Sequence, residues 1–90
     1  MRTRIYFDLV IDDGYDLYVY REYEGLIFFP EKMNISLPLG GDAVIGKPLF
    51  NIENDILEYN IYDINTNLSH DEVMESINEY KNVKCPLKVL

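Results

Sequence analysis

The segment Gly41-Asp42-Ala43-Val44-Ile45-Gly46-Lys47 carries the spacing of a phosphate-binding loop, in which backbone amides and a lysine cradle phosphates. Pro48 follows where that loop needs a Ser or Thr hydroxyl for magnesium. Proline brings no N–H donor, and nothing after it reads as a helix whose N-terminus could face an anion. The segment therefore reads as a glycine-containing connector. Asp12, Asp13 and Asp16 gather at what should be a hairpin tip, where a hard cation wants several oxygens, but the string of further ligands that a calcium loop requires does not follow.

His70 and Cys85 are the only histidine and cysteine, too few for a structural zinc site. As a nucleophilic pair they would have to be joined by the fold. His70 reads instead as a first-turn helix residue and Cys85 as a small apolar filler. Ser69 is better explained as a helix cap than as a nucleophile. Among sixteen acids no spacing singles out an acid/base couple, and so short a chain leaves little room for a deep cleft. These residues give no reason to expect an enzyme, a metal or another cofactor.

What remains is a distribution. From Pro48 through Tyr80 there are Glu53, Asp55, Glu58, Asp63, Asp71, Glu72, Glu75 and Glu79, and no lysine or arginine. The whole chain has 16 acidic against 8 basic side chains, a net charge of -8. Such a field disfavours direct contact with nucleic-acid phosphates or an anionic membrane and favours a basic protein surface. Tyrosine supplies large contact area at low entropic cost and is enriched at interfaces. The candidate partner-binding residues are thus Tyr6, Asp8, Tyr18, Tyr20 and Glu22 near the N-terminus, with Glu53, Asp55, Glu58, Tyr62 and Asp63 from the base-free stretch. Tyr59 belongs to the same aromatic set.

The elements that must carry these residues follow from periodicity. Ninety residues, 48% of them apolar, allow one domain with one core. Ile5, Phe7, Leu9 and Ile11 alternate with polar positions as in a half-buried strand, and a second strand is expected from Asp16 to Glu24 after the turn at Asp12-Asp13-Gly14. A loop over residues 13–15 would pair Ile11 with Leu17 and Leu9 with Val19 on an apolar face. It would set Val10 against Tyr18, Asp8 against Tyr20, Tyr6 against Glu22 and Arg4 against Glu24 on the other.

Leu26-Ile27-Phe28-Phe29 reads as a central strand covered on both sides. Met33 to Leu39 reads as a half-buried strand, with Pro38 marking a sheet edge. A short strand or connector is expected within 43–50, and a longer strand from Asp55 to Ile64, with Leu57, Tyr59 and Ile61 on one face and Ile56, Tyr62 and Ile64 on the other. Ser69 and Glu72 form a capping box, Leu68 and Val73 a hydrophobic staple. Val73, Ile77 and Tyr80 make the stripe that should lie on the sheet, and Asn82 a C-terminal stop. The tail from Cys85 to Leu90 would dock as an edge strand or seek another chain. The expected class is α+β, an antiparallel sheet of about five strands packed against one C-terminal helix.

A lone cysteine and the absence of a secretion signal point to a reducing cytoplasm, and no apolar run approaches membrane-spanning length. The reading these features favour is a small acidic binding protein that inhibits a partner by occupying a basic, nucleic-acid-binding site with carboxylates in place of phosphates. That bulk character is shared with small viral inhibitors, and abundant Ile, Asn and Tyr beside a single Ala fits an AT-rich genome, although no motif carries the likeness. The alternatives are a homodimerising structural module, and a small ligand-binding domain or enzyme.

Overall fold

The computed structural model describes residues 1–12, 14–37 and 39–90. Eight elements follow in chain order: β1 (Arg2–Val10), β2 (Asp16–Glu24), β3 (Asn34–Ser36), β4 (Asp42–Val44), β5 (Leu49–Asn51), β6 (Ile56–Asn65), α1 (His70–Glu79) and β7 (Lys88–Val89). The main sheet has the order β5-β6-β1-β2-β7, and β3 and β4 form a separate two-stranded sheet. The class is the α+β arrangement expected, with one departure: β6 pairs with β1 in parallel, while the other pairs are antiparallel.

The β1–β2 register differs from the expected one by two residues, so that Leu9 faces Leu17, Phe7 faces Val19, Tyr6 faces Tyr20 and Arg4 faces Glu22. The cause lies in the turn. Gly14 adopts φ +84, and the N–H of Ile11 donates to the carbonyl of Tyr15 at 3.0 Å. A hairpin loop of three residues ends on a left-handed residue, and glycine takes that conformation without the Cβ penalty. The loop therefore closes between Ile11 and Tyr15. A two-residue shift preserves the side-chain alternation, so the faces are as expected although the partners change.

On one face Ile5, Phe7 and Leu9 of β1, Val19 of β2 and Leu57, Tyr59 and Ile61 of β6 join Ile45 and Val73 in the core. Ser69 starts the helix that lies on this face: the Ser69 hydroxyl accepts the Glu72 N–H and the Glu72 carboxylate accepts the Ser69 N–H, each at 3.2 Å. Val73 is fully buried, and Leu68 and Ile77 pack beside it, but Tyr80 is 62% exposed. The helix ends at Glu79, one turn before Asn82, so Tyr80 becomes its C-cap rather than part of the stripe on the sheet.

Residues 26–29 do not form a central strand, and Phe28 is 68% exposed. Gly25, at φ +78, turns the chain away from the ladder. The backbone of this segment is satisfied by side chains instead. The Thr3 hydroxyl donates to the Gly25 carbonyl and accepts the Ile27 N–H, both at 2.8 Å. The Tyr59 hydroxyl accepts the Phe29 N–H at 2.9 Å and donates to the Ile27 carbonyl at 3.2 Å. Met33 to Leu39 contributes only the three residues of β3, and the expectation at Pro38 lies outside the described residues. The C-terminal tail docks within the chain: Val89 faces Val19, and the Leu90 N–H reaches the Tyr18 carbonyl at 3.0 Å.

Candidate functional site

Alternation in the strands sends Arg2, Arg4, Tyr6 and Asp8 of β1 to the face opposite α1, together with Tyr18, Tyr20, Glu22 and Glu24 of β2 and Glu58 and Asn60 of β6. Among the described residues, the elements packed on the core cluster lie on the other side, which leaves this face open. Six expected binding residues, Tyr6, Asp8, Tyr18, Tyr20, Glu22 and Glu58, are thereby assembled on one surface roughly 25 Å long. Tyr59 is not among them: it is 1% exposed and structural, its ring meeting Phe29 edge-on at 5.3 Å.

The end of this face near the β1 N-terminus is an ion-pair network. Arg4 Nε donates to the Glu22 carboxylate at 2.7 Å, one Arg4 terminal nitrogen donates to the Tyr6 hydroxyl at 3.1 Å, and the guanidinium lies 4.6 Å from the centre of the Tyr20 ring. The Tyr6 and Tyr20 rings are 5.7 Å apart, and Arg2 approaches Glu22 at 3.5 Å. The hydrogen bond from Arg4, followed by the charges of Arg4, Arg2 and Lys88, holds the Glu22 carboxyl below its usual range. The Tyr6 hydroxyl and Glu22 in turn raise the pKa of Arg4. Glu53 and Asp55 lie beyond this end, exposed in the β5–β6 turn, where the Asp55 carbonyl accepts the Arg2 N–H at 3.1 Å. They are not part of the open face.

The far end is different. The β1–β6 ladder slips between Phe7 and Leu9, so Tyr62 and Asp63 together span the place opposite Asp8, with Asp63 at φ +56. The slip turns Ile64 toward the core, where it faces Leu9, although simple alternation would set it beside Tyr62. Alternation from Ile61 leaves Tyr62 on the open face, well exposed. Asp8 is only 9% exposed, and its Oδ1 has no hydrogen-bond partner among the described residues. Burial first, then the charges of Asp16 and Asp63, push the Asp8 carboxyl up, against the pull of the Asp63 backbone N–H. Tyr18, directly across from Asp8, has its phenol raised by the same charges, Asp8 foremost.

Asp16 joins this cluster because it pairs with Val10 in the observed register; sequence reasoning had placed it only at the hairpin tip. Asp13 of that tip lies outside the described residues. Among the described residues no three His, Cys, Asp or Glu side chains are placed to hold a metal ion. Among the described residues no helix is long and apolar enough to cross a membrane. Comparison with protein-family models, curated proteins and solved structures gives no match.

Proposed function

We propose that this chain is a non-enzymatic binding protein that lays the open face of its sheet on a basic, nucleic-acid-binding surface of a partner protein and so inhibits it. The observation that carries this reading is the placement of Tyr6, Tyr18 and Tyr20 with Asp8, Asp16 and Asp63 on the face that α1 does not cover. Tyrosines that only packed under the helix would lie on the other side. At the Asp8 end the mutual proximity of Asp8, Asp16 and Asp63 suits a lysine or arginine delivered by the partner, whose charge would offset their repulsion. Pairing of Lys88 and Val89 with β2 gives part of the apolar tail a place within the chain, which supports this reading over a homodimer built on that tail.

The test is capture from a lysate of the source organism at low and at high salt, wild type beside the variant Tyr18→Ala/Asp16→Asn/Asp63→Asn. The expected result is a basic, nucleic-acid-handling protein held at low salt, released at high salt, and captured at least tenfold less by the variant. Equal capture by both proteins, or recovery of the chain with itself alone, would overturn the reading.

A further inference from the structure

On the core side of β2, Arg21 stands between Val19 and Tyr23 and directly opposite Ile5. It is an unusual residue for that face. Its Nε is buried and has no hydrogen-bond partner among the described residues. A buried donor without an acceptor is costly, and more so when it belongs to a charged group.

Arg21 borders a cavity of about 600 Å³ between α1, the segment that follows it and the tip of the β3–β4 hairpin. That volume lies within the range of small-molecule sites, roughly 300–1,000 Å³. Leu39, Leu68, Ile77 and Leu87 give it apolar walls. Its charged lining residues are Arg21 and Lys84, and none is acidic, in a chain whose acids outnumber its bases two to one. Tyr80, the exposed C-cap of α1, stands at the same cavity, which gives that residue a place that its absence from the core stripe leaves open.

We infer that this cavity is a binding site for a small amphipathic carboxylate, its aliphatic chain lying against the leucine walls and its head group paired with Arg21. Arg21 lines the cavity, and its planar guanidinium can meet a carboxylate there through its terminal N–H donors. Lys84 adds a second positive charge at the mouth. The site lies across the sheet from the open face and does not depend on what that face binds.

The experiment is calorimetric titration of the full chain with decanoate, decanol and decyltrimethylammonium, accompanied by ¹H–¹⁵N spectra that follow the Arg21 Nε–H. Decanoate should bind saturably and at least tenfold more tightly than decanol, the quaternary ammonium should not bind, and the Arg21 signal should shift on titration. Arg21→Gln should lose at least tenfold in decanoate affinity while leaving that for decanol unchanged. Should Arg21→Gln fail to fold, the exposed Lys84→Gln carries the same comparison with a smaller loss of two- to threefold. Equal binding of the three ligands, no saturable decanoate binding, or shifts confined to residues away from Arg21 would overturn the inference.

Discussion

At one end of the open face a carboxylate is surrounded by bases; at the other, carboxylates face each other. Glu22 has Arg4 at 2.7 Å, Arg2 at 3.5 Å and the charge of Lys88, and is held ionised. Asp8 is more deeply buried, has Asp16 and Asp63 for neighbours, and keeps an oxygen without a partner. The same strands β1 and β2 supply both ends, so the difference comes from side-chain identity and from the bulge at Tyr62-Asp63 rather than from backbone class. The paired end contributes to folding as built. The unpaired end carries an electrostatic cost that a cationic partner would offset.

The comparison can be broken most forcefully at the paired end. Arg4→Ala removes a charge-assisted hydrogen bond whose partners are mostly buried and leaves Glu22 short of its principal base, so a loss of about 2 kcal/mol is expected in urea unfolding at pH 7. A loss below a few tenths would mean that the network is a solvent-screened surface pair.

At the unpaired end the sign reverses. Asp8→Asn removes the buried charge and should stabilise the protein by about 1 kcal/mol at pH 7. Because the native Asp8 carboxyl binds its proton more tightly than the unfolded one, its contribution to stability is full below the unfolded value of about 3.9 and is lost as the pH rises through the raised native value. The advantage of Asp8→Asn should therefore vanish below about pH 4. Glu22 runs the other way: its contribution is present above about 4.3, its unfolded value, and is lost as the pH falls through the lowered native value. Destabilisation by Asp8→Asn at pH 7 would show that the carboxylate is a structural acceptor.

The smallest effect sharpens the geometry. Since Asp8 is the chief cause of the raised Tyr18 phenol, Asp8→Asn should bring the Tyr18 titration down toward that of an ordinary tyrosine. Ultraviolet titration of the tyrosines, with Tyr18→Phe to assign the signal, reads this directly. An unmoved Tyr18 would separate the two residues that the register places face to face.

Most of the architecture was legible from local signals. The capping box at Ser69 and Glu72 placed the helix, and alternation in β1, β2 and in β6 up to Tyr62 sorted the residues into faces. Three features were not legible. The β1–β2 register depended on which loop residue is left-handed, a conformational preference of Gly14 that hydropathy does not encode. The segment 26–29 looked like a buried strand because its apolar run is uninterrupted, but the side chains that satisfy its backbone, Thr3 and Tyr59, lie far away in sequence. The bulge at Tyr62-Asp63 lies within the parallel pairing of β6 with β1, a long-range choice that no local pattern announces. Hence the eight expected residues gathered on the open face, Tyr62 and Asp63 among them, were recognisable as candidates, whereas Asp16 was not, and Glu53 and Asp55 were included on charge alone.

The parallel pairing at the centre of the sheet also dictates an order of assembly. β1 can zip to β2 across a short turn, but its other edge stays open until the whole stretch from Ile11 to Asp55 has been looped back to deliver β6. Closing so long a loop costs chain entropy before any contact repays it, which slows the delivery of β6 to β1. During synthesis, the N-terminal hairpin must wait with the apolar side chains of Ile5, Phe7 and Leu9 uncovered until the residues that bury them leave the ribosome.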